Sequence, residues 1–302
     1  MSERDDKLGS SALPDVYADR EFAFTDRDFR QIADTLNEET GIALTEVKAA
    51  LVYSRLARRL RELGLESFNQ YCELVNSKEG LPEREHMVGA LTTNVTRFFR
   101  EPHHFEHLKT RVLPDLLDDV RRGGRLRIWS AGCSTGEEPY SIALSVLSVM
   151  PDAPDFDVKI LATDISKTVL ARARKGIYLE AALAPVSRPQ LAQWFVPVES
   201  SNGDKAWCVG DELRALVAFR ELNLMSDWPM KMSYQAIFCR NVVIYFEERR
   251  RIMIWSRLEG FLAPRGCLYV GCSERITNDR NFQLEGNTTY RLKAPKTLTE
   301  VH

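Results

Sequence analysis

Apolar positions first fall into a helical rhythm at Phe29, Ile32, Ala33 and Leu36, between a Thr25/Asp28 pair and Gly41. Thr25 and Asp28 have the spacing of a capping box with Asp in place of Glu, so the pattern predicts a capped helix closed by glycine. A second helix is predicted from about Thr45 to Leu63, closing at Gly64, with Ala49, Val52, Leu56, Leu60 and Leu63 on its apolar stripe. Phe68, Tyr71, Cys72 and Val75 predict a third helix. A break with Gly80 and Pro82 then precedes a fourth from about Glu83 to Leu91. Four short amphipathic helices make a small all-α domain over about 21–90.

From Leu91 to Phe105 polar residues, paired aromatics and arginine alternate without a period, which marks a loop that forms a site. The rhythm then changes. Leu126–Ser130 is a short apolar run, Gly132 and Gly136 lie four apart, and Glu137 to Met150 returns to helical spacing, so the segment reads strand, tight turn, helix. A second strand, 157–163, ends in Asp164, and a helix from Lys167 to Lys175 closes near Gly176. Leu216–Phe219 and Ala236–Cys239 are expected as further central strands. Glu248–Leu262 follows as a helix, Ala263–Gly266 as a turn, Cys267–Gly271 as a strand and Thr288–Leu292 as the last one. Between them, about 179–219 holds three prolines and an Asn202-Gly203 turn flanked by short apolar runs, expected as an inserted β-hairpin subdomain. Strand and helix in alternation imply a mainly parallel, Rossmann-like α/β sheet over 91–302, with ligand at the carboxyl ends of its strands.

Composition narrows this picture. The 302 residues are 44% hydrophobic and 28% charged with net charge −2, so no global basic field of the kind that nucleic-acid binders use is present. No segment has 18 uncharged apolar residues, and the polar start lacks the apolar core of a signal peptide; a cytoplasmic protein with residues 1–20 as a flexible tail is expected. The six cysteines lack paired CxxC spacing and are expected as reduced thiols.

The glycine turn suits a nucleotide, yet Glu137 and Glu138 stand at its exit, where a pyrophosphate would meet like charge. A cationic, phosphate-free nucleotide fits better. S-adenosylmethionine carries a sulfonium and an ammonium, and Asp164 is placed to accept both ribose hydroxyls. The plainer alternative leaves the two glutamates as helix N-terminal residues and Asp164 as the cap of the next helix. His103 and His107, four apart, lack a third ligand at matching spacing, so no metal is expected. On the second helix Lys48, Arg55, Arg58 and Arg59 form a basic strip, either a solvated face or a docking surface for an acidic helical partner.

Three runs carry a family resemblance: Thr93-Asn94-Val95-Thr96-Arg97-Phe98-Phe99-Arg100, Ser134-Thr135-Gly136-Glu137-Glu138-Pro139-Tyr140-Ser141, and Phe238-Cys239-Arg240-Asn241-Val242-Val243-Ile244-Tyr245-Phe246. In order and over about 24–292, they resemble the CheR-type chemotaxis receptor methyltransferases. The resemblance implies a helical N-terminal domain followed by a class I methyltransferase domain with a small β-subdomain. It implies methyl transfer from S-adenosylmethionine, leaving S-adenosylhomocysteine, to glutamates in the cytoplasmic helical region of transmembrane chemoreceptors. It also implies that Asn94, Thr96, Arg100, Glu138, Asp164, Asn223, Leu224, Cys239 and Arg240 line the cofactor site, with Arg100 and Tyr245 nearest the methyl. Arg97 stands where a small or apolar residue would be unsurprising, leaving Arg97 and Arg100 both as candidates to face the substrate.

The chemistry agrees with an O-methyl ester. A glutamate side chain, with a pKa near ~4.3 in model peptides, is already ionised at pH 7 and needs no general base to attack a methyl sulfonium. Amine-directed methyltransferases often carry an Asn-Pro-Pro-Tyr-like strand end, whereas Asn241 is followed here by Val-Val-Ile-Tyr. The other readings are an S-adenosylmethionine-binding sensor or interaction module and an amine-directed enzyme.

Overall fold

A computed structural model describes residues 20–92, 94–200, 202–276 and 280–293. The expected tail, residues 1–20, lies outside the described residues except for Arg20. The chain divides into two compact units, with the division after Thr93.

In the first unit, α1 (Asp26–Thr40) has the reciprocal Thr25/Asp28 capping box and closes on Gly41 in the left-handed region, φ 79°. A 3₁₀ turn, Glu46–Lys48, leads into α2 (Ala49–Leu63), followed by α3 (Phe68–Asn76) and α4 (Leu81–Leu91). Helix α4 starts two residues earlier than its pattern suggests. Pro82 sits in the first turn, where its missing N–H costs nothing. Ile32, Leu36, Val52, Leu56, Leu60, Phe68, Tyr71 and Val75 pack the interior between the helices. Two members of the basic strip are turned inward. The Arg55 guanidinium donates to the carbonyls of Ala90 and Thr92, satisfying the end of α4, and Arg59 forks onto buried Glu83 at 2.5 and 3.0 Å. Arg58 pairs with Glu62 and remains 79% exposed.

The second unit opens with α5 (His103–His107), a π turn over Leu108–Val112 and α6 (Leu113–Arg121), a helical run with no counterpart among the predicted elements. It continues β1 (Leu126–Ala131), α7 (Glu137–Val149), β2 (Val158–Asp164), α8 (Lys167–Lys175), β3 (Ile177–Leu179), α9 (Arg188–Trp194), β4 (Phe195–Glu199) and β5 (Lys205–Val209). After these come α10 (Asp211–Ala215), β6 (Val217–Glu221), β7 (Tyr234–Cys239), α11 (Glu248–Gly260), β8 (Leu262–Val270), β9 (Phe282–Gly286) and β10 (Thr289–Leu292). The main sheet has the order β6-β2-β1-β7-β8-β10-β9, parallel from β6 to β8 and antiparallel beyond. β1 and β7 are buried along nearly their whole length, which is why they read as continuous apolar runs.

Three expectations need correction, and one strand, β9, has no counterpart among them. β6 is the edge of the sheet rather than a central strand; only β2 flanks it. The inserted hairpin is a three-stranded antiparallel sheet, β3-β5-β4, because Ile177–Leu179 turns directly from Gly176 into pairing with β5, and three residues are too few to show a period. Ala263–Gly266 does not turn the chain. It is a bulge inside β8: Leu262 pairs with Tyr234, and four residues are looped out before Cys267 pairs with Ala236. β9 is an exposed edge with one buried residue, Phe282, and so carries little apolar signal.

Candidate active site

The carboxyl ends of the parallel strands β1, β2, β6 and β7 lie along one edge of the sheet, and the loop after β1 is packed closely there. Gly132 and Gly136 have φ of 78° and 99°. A Cβ at Gly132 would overlap the Val242 side chain, and one at Gly136 would lie 2.8 Å from the Tyr178 hydroxyl, so both positions require glycine. Gly132 and Cys133 donate to the Thr163 carbonyl, laying the loop across the end of β2.

Asp164, 9% exposed, accepts from the Ser134 amide at 2.8 Å and from the Ser166 amide at 2.9 Å. Burial pushes its carboxyl above the usual range while these amides pull it back. It therefore holds the glycine loop as well as closing β2, and with three amides, the third from Ile165, against about four lone-pair sites it keeps acceptor capacity for a hydroxyl group. The Ser134 hydroxyl donates to the Asn94 carbonyl, and the Phe99 amide donates to the Ser141 hydroxyl on α7. Two bonds thus dock the aperiodic 94–100 segment onto the loop and helix.

Arg240 ties the third motif to the other two. Its guanidinium, 1% exposed, pairs with Glu138 at 3.1 Å and Glu101 at 3.2 Å and donates to the Arg100 carbonyl. Glu138 also accepts from the Ser130 hydroxyl at 2.7 Å. Burial pushes the Glu138 carboxyl upward against the pull of Arg240; for Glu101 the opposing attraction wins and its carboxyl lies below the usual range. Arg100 donates from its own guanidinium to the Val95 carbonyl at 3.0 Å, closing the 95–100 turn, while Arg97 is exposed. Asn223 caps the turn after β6 by accepting from the Met225 amide, and Leu224 beside it is buried. Cys239 is fully buried at the end of β7, where burial pushes its thiol well above the usual range; it is a core residue rather than a nucleophile. Tyr245 ends a 3₁₀ turn, Val243–Tyr245, and is half-buried; Thr96 is half-buried too.

His103 and His107 do not converge. Each joins a separate group, His103 with nearby Glu101 and with Cys272 in the turn after β8, His107 with Cys267 on β8 and Glu285 on β9. Both ring nitrogens of His107 are already engaged, by the Tyr269 hydroxyl and Glu285.

The donor set answers which nucleotide the site takes. Beside the turn made by two glycines stand Glu137 and Asp164, while Glu138 is already paired with Arg240, a setting that suits a cation better than a phosphate. The match to known proteins is decisive: the SAM-binding domain of the CheR methyltransferases aligns with residues 94–291 and their all-α domain with residues 27–92. The chain belongs to the CheR methyltransferase family. It is similar to a probable chemotaxis protein methyltransferase of Rhizobium etli, 53% identical over 84% of this chain and 95% of that one. It is also similar to chemotaxis protein methyltransferase 2 of Pseudomonas aeruginosa, 42% identical over 94% and 99%, and to the chemotaxis protein methyltransferase of Escherichia coli, 40% identical over 89% and 92%. As in the rest of the family, S-adenosylmethionine is the methyl donor. No described helix is long and apolar enough to cross a membrane.

Two contributions escape sequence reading. Ser130 and Ser141 look like ordinary strand and helix residues, yet they hold Glu138 and the 94–100 segment. Glu274 lies outside every motif and supports the third one from beneath. Asp164→Ala is expected to weaken S-adenosylhomocysteine binding by about tenfold or more, at roughly 1.5–3 kcal/mol per charge-assisted bond. Calorimetry giving unchanged affinity would remove Asp164 from the ribose site.

Proposed function

We propose that this enzyme methylates glutamate side chains in the cytoplasmic helical region of chemoreceptors, forming methyl esters, and that it works in the cytoplasm. What carries the reading is how the acidic groups of the site are already committed. Glu101 faces Arg240 and the Cys272 amide, Glu137 accepts from the Thr135 hydroxyl, Glu138 from Ser130 and Arg240, Asp164 from Ser134 and Ser166. Glu101 and Glu138 offset the charge of Arg240, and the acceptor capacity left on Asp164 is assigned to the donor's hydroxyls, so these carboxylates hold the site rather than serve an amine substrate as a base. A carboxylate substrate requires only orientation and charge.

S-adenosylmethionine supplies an electrophilic methyl group on a sulfonium. The chain's part is to align the nucleophile with it. Arg100 is the group to hold a substrate carboxylate, by a two-bond fork that leaves one oxygen facing the donor, and the Tyr245 hydroxyl is the group to orient that oxygen. Asn94, Thr96, Glu138, Asp164, Asn223, Leu224, Cys239 and Arg240 form or support the donor's pocket.

The basic strip on α2 fits an acidic helical surface. Since Arg55 and Arg59 also hold α2 to α4, the charge available for docking comes chiefly from Arg58; Lys48 lies in the 3₁₀ turn before α2. Reversing Arg55 or Arg59 would break the helical unit as well, so Arg58→Glu is the cleaner variant.

The test is to incubate the purified protein with methyl-labelled S-adenosylmethionine and chemoreceptor-containing membranes. Label is expected on the receptor and is expected to leave as volatile methanol in mild alkali. Alkali-stable label would move the substrate to an amine, and donor binding without any transfer would favour a sensor module. In the same assay at low salt, Arg58→Glu should slow methylation without changing donor affinity, since exposed charges act on encounter and are screened within ~10 Å at 0.1 M salt.

A further inference from the structure

After β8 the chain turns at Gly271 and brings Glu274 beneath the loop that follows β7. The side chain is 3% exposed. One carboxylate oxygen accepts from the amides of Asn241 and Gly271, both at 2.7 Å. The other accepts from Val242 at 2.9 Å, Val243 at 2.9 Å and Ile244 at 3.2 Å. Five main-chain N–H groups converge on one side chain, four of them consecutive.

Consecutive amides pointing the same way form a concave anion site, and here the chain supplies its own anion. The arrangement costs backbone strain, since Asn241 is held at φ 58°. It also excludes a side chain at 271, where a Cβ would lie 2.8 Å from the Glu274 carboxylate. A neutral carboxyl would set its O–H against an N–H, so the nest favours the ionised form although burial pushes the group upward.

The loop held in this way runs from Arg240, the buried clamp on Glu101 and Glu138, to Tyr245. We propose that Glu274 is a positioning residue for methyl transfer, an internal anion that fixes the turn so that Arg240 and the Tyr245 hydroxyl are held in register with the 94–100 segment. The proposal rests on the assignment of Tyr245 to the transfer step. Without the nest the donors of 241–244 turn toward water, the left-handed Asn241 relaxes, and the Tyr245 ring loses its fixed distance from the methyl.

The 302-residue chain is compared with Glu274→Gln, Glu274→Asp, Tyr245→Phe and the Glu274→Asp/Tyr245→Phe double variant. Turnover at saturating donor is divided by the number of S-adenosylhomocysteine sites found by calorimetry, so unfolded protein does not count. Glu274→Gln keeps the shape but sets an NH₂ against amide donors, and turnover per site is expected to fall roughly 10- to 100-fold, the scale of a misplacement near 1 Å. Glu274→Asp keeps the charge and should retain more turnover than the glutamine variant. If Glu274 acts through Tyr245, the two single effects are not additive, and removing the hydroxyl costs little more in the Glu274→Asp protein.

Wild-type turnover per site in Glu274→Gln, or additive effects in the double variant, would overturn the proposal. Should Glu274→Gln fail to fold, the aspartate cycle decides alone. Wild-type protein that binds donor but labels no receptor would instead count against the methyl-transfer reading itself.

Discussion

Arg100→Ala is expected to lower receptor methylation at saturating donor by roughly 100-fold or more. The loss removes both the fork that orients a substrate carboxylate and the charge that gathers it. Part of the effect will reach the donor, because the Arg100 guanidinium also closes the turn carrying Asn94 and Thr96 through its bond to the Val95 carbonyl. Affinity for S-adenosylhomocysteine should therefore fall, but by much less than turnover. Arg100→Lys should rescue little, since an ammonium is a point charge and cannot reproduce two parallel bonds in one plane. Tyr245→Phe keeps the ring and deletes the hydroxyl, and is expected to lower turnover with donor affinity unchanged. Wild-type turnover in Arg100→Lys would show that charge alone suffices, and a loss in Arg100→Ala wholly accounted for by donor affinity would confine Arg100 to the cofactor pocket.

Arg240→Ala should be the most destabilising single change at the site. It leaves Glu101 and Glu138, 13% and 12% exposed, without the guanidinium that compensates them. Breaking a buried pair from one side costs about 3–5 kcal/mol. For a unit of this size that is roughly a 10 °C fall in the melting temperature of the full chain. The sign of the pH dependence is a second reading. In the wild type Glu101 sits below its ordinary value, so its stabilisation is present above about 4.5 and is lost as pH falls through the lower folded value. In the variant burial acts unopposed, both carboxyls rise, and protonation relieves the penalty as pH falls. The gap between wild type and variant should therefore be widest near neutrality and narrow in acid. Thermal melts at several pH values measure it, and a gap that stays constant with pH would mean the two carboxylates do not depend on Arg240.

The sequence by itself determined the elements whose signals are local. The Thr25/Asp28 box and Gly41 fixed α1, because capping is settled within one turn. The apolar run, two glycines and helix of 126–149 fixed β1, its loop and α7, and with Glu137 and Glu138 pointed to a cationic nucleotide, because those glycines and charges lie within or beside one turn; Asp164 ends β2 and meets that turn only through the pairing of β1 with β2. Tertiary structure decided what depends on partners distant in the chain. The edge position of β6, the bulge at Ala263–Gly266 and the third strand of the small sheet are all consequences of pairing, which two to five residues cannot announce. Arg55 and Arg59 look like surface charge on a helical wheel and become internal bonds only when α4 packs beside α2. Arg240, expected to line the pocket, also clamps Glu101 and Glu138, which stand far from it in sequence. Glu274 belongs to no motif at all. Its role exists only because the turn after β8 lies under the loop after β7, where five amides need an acceptor that the local chain does not provide.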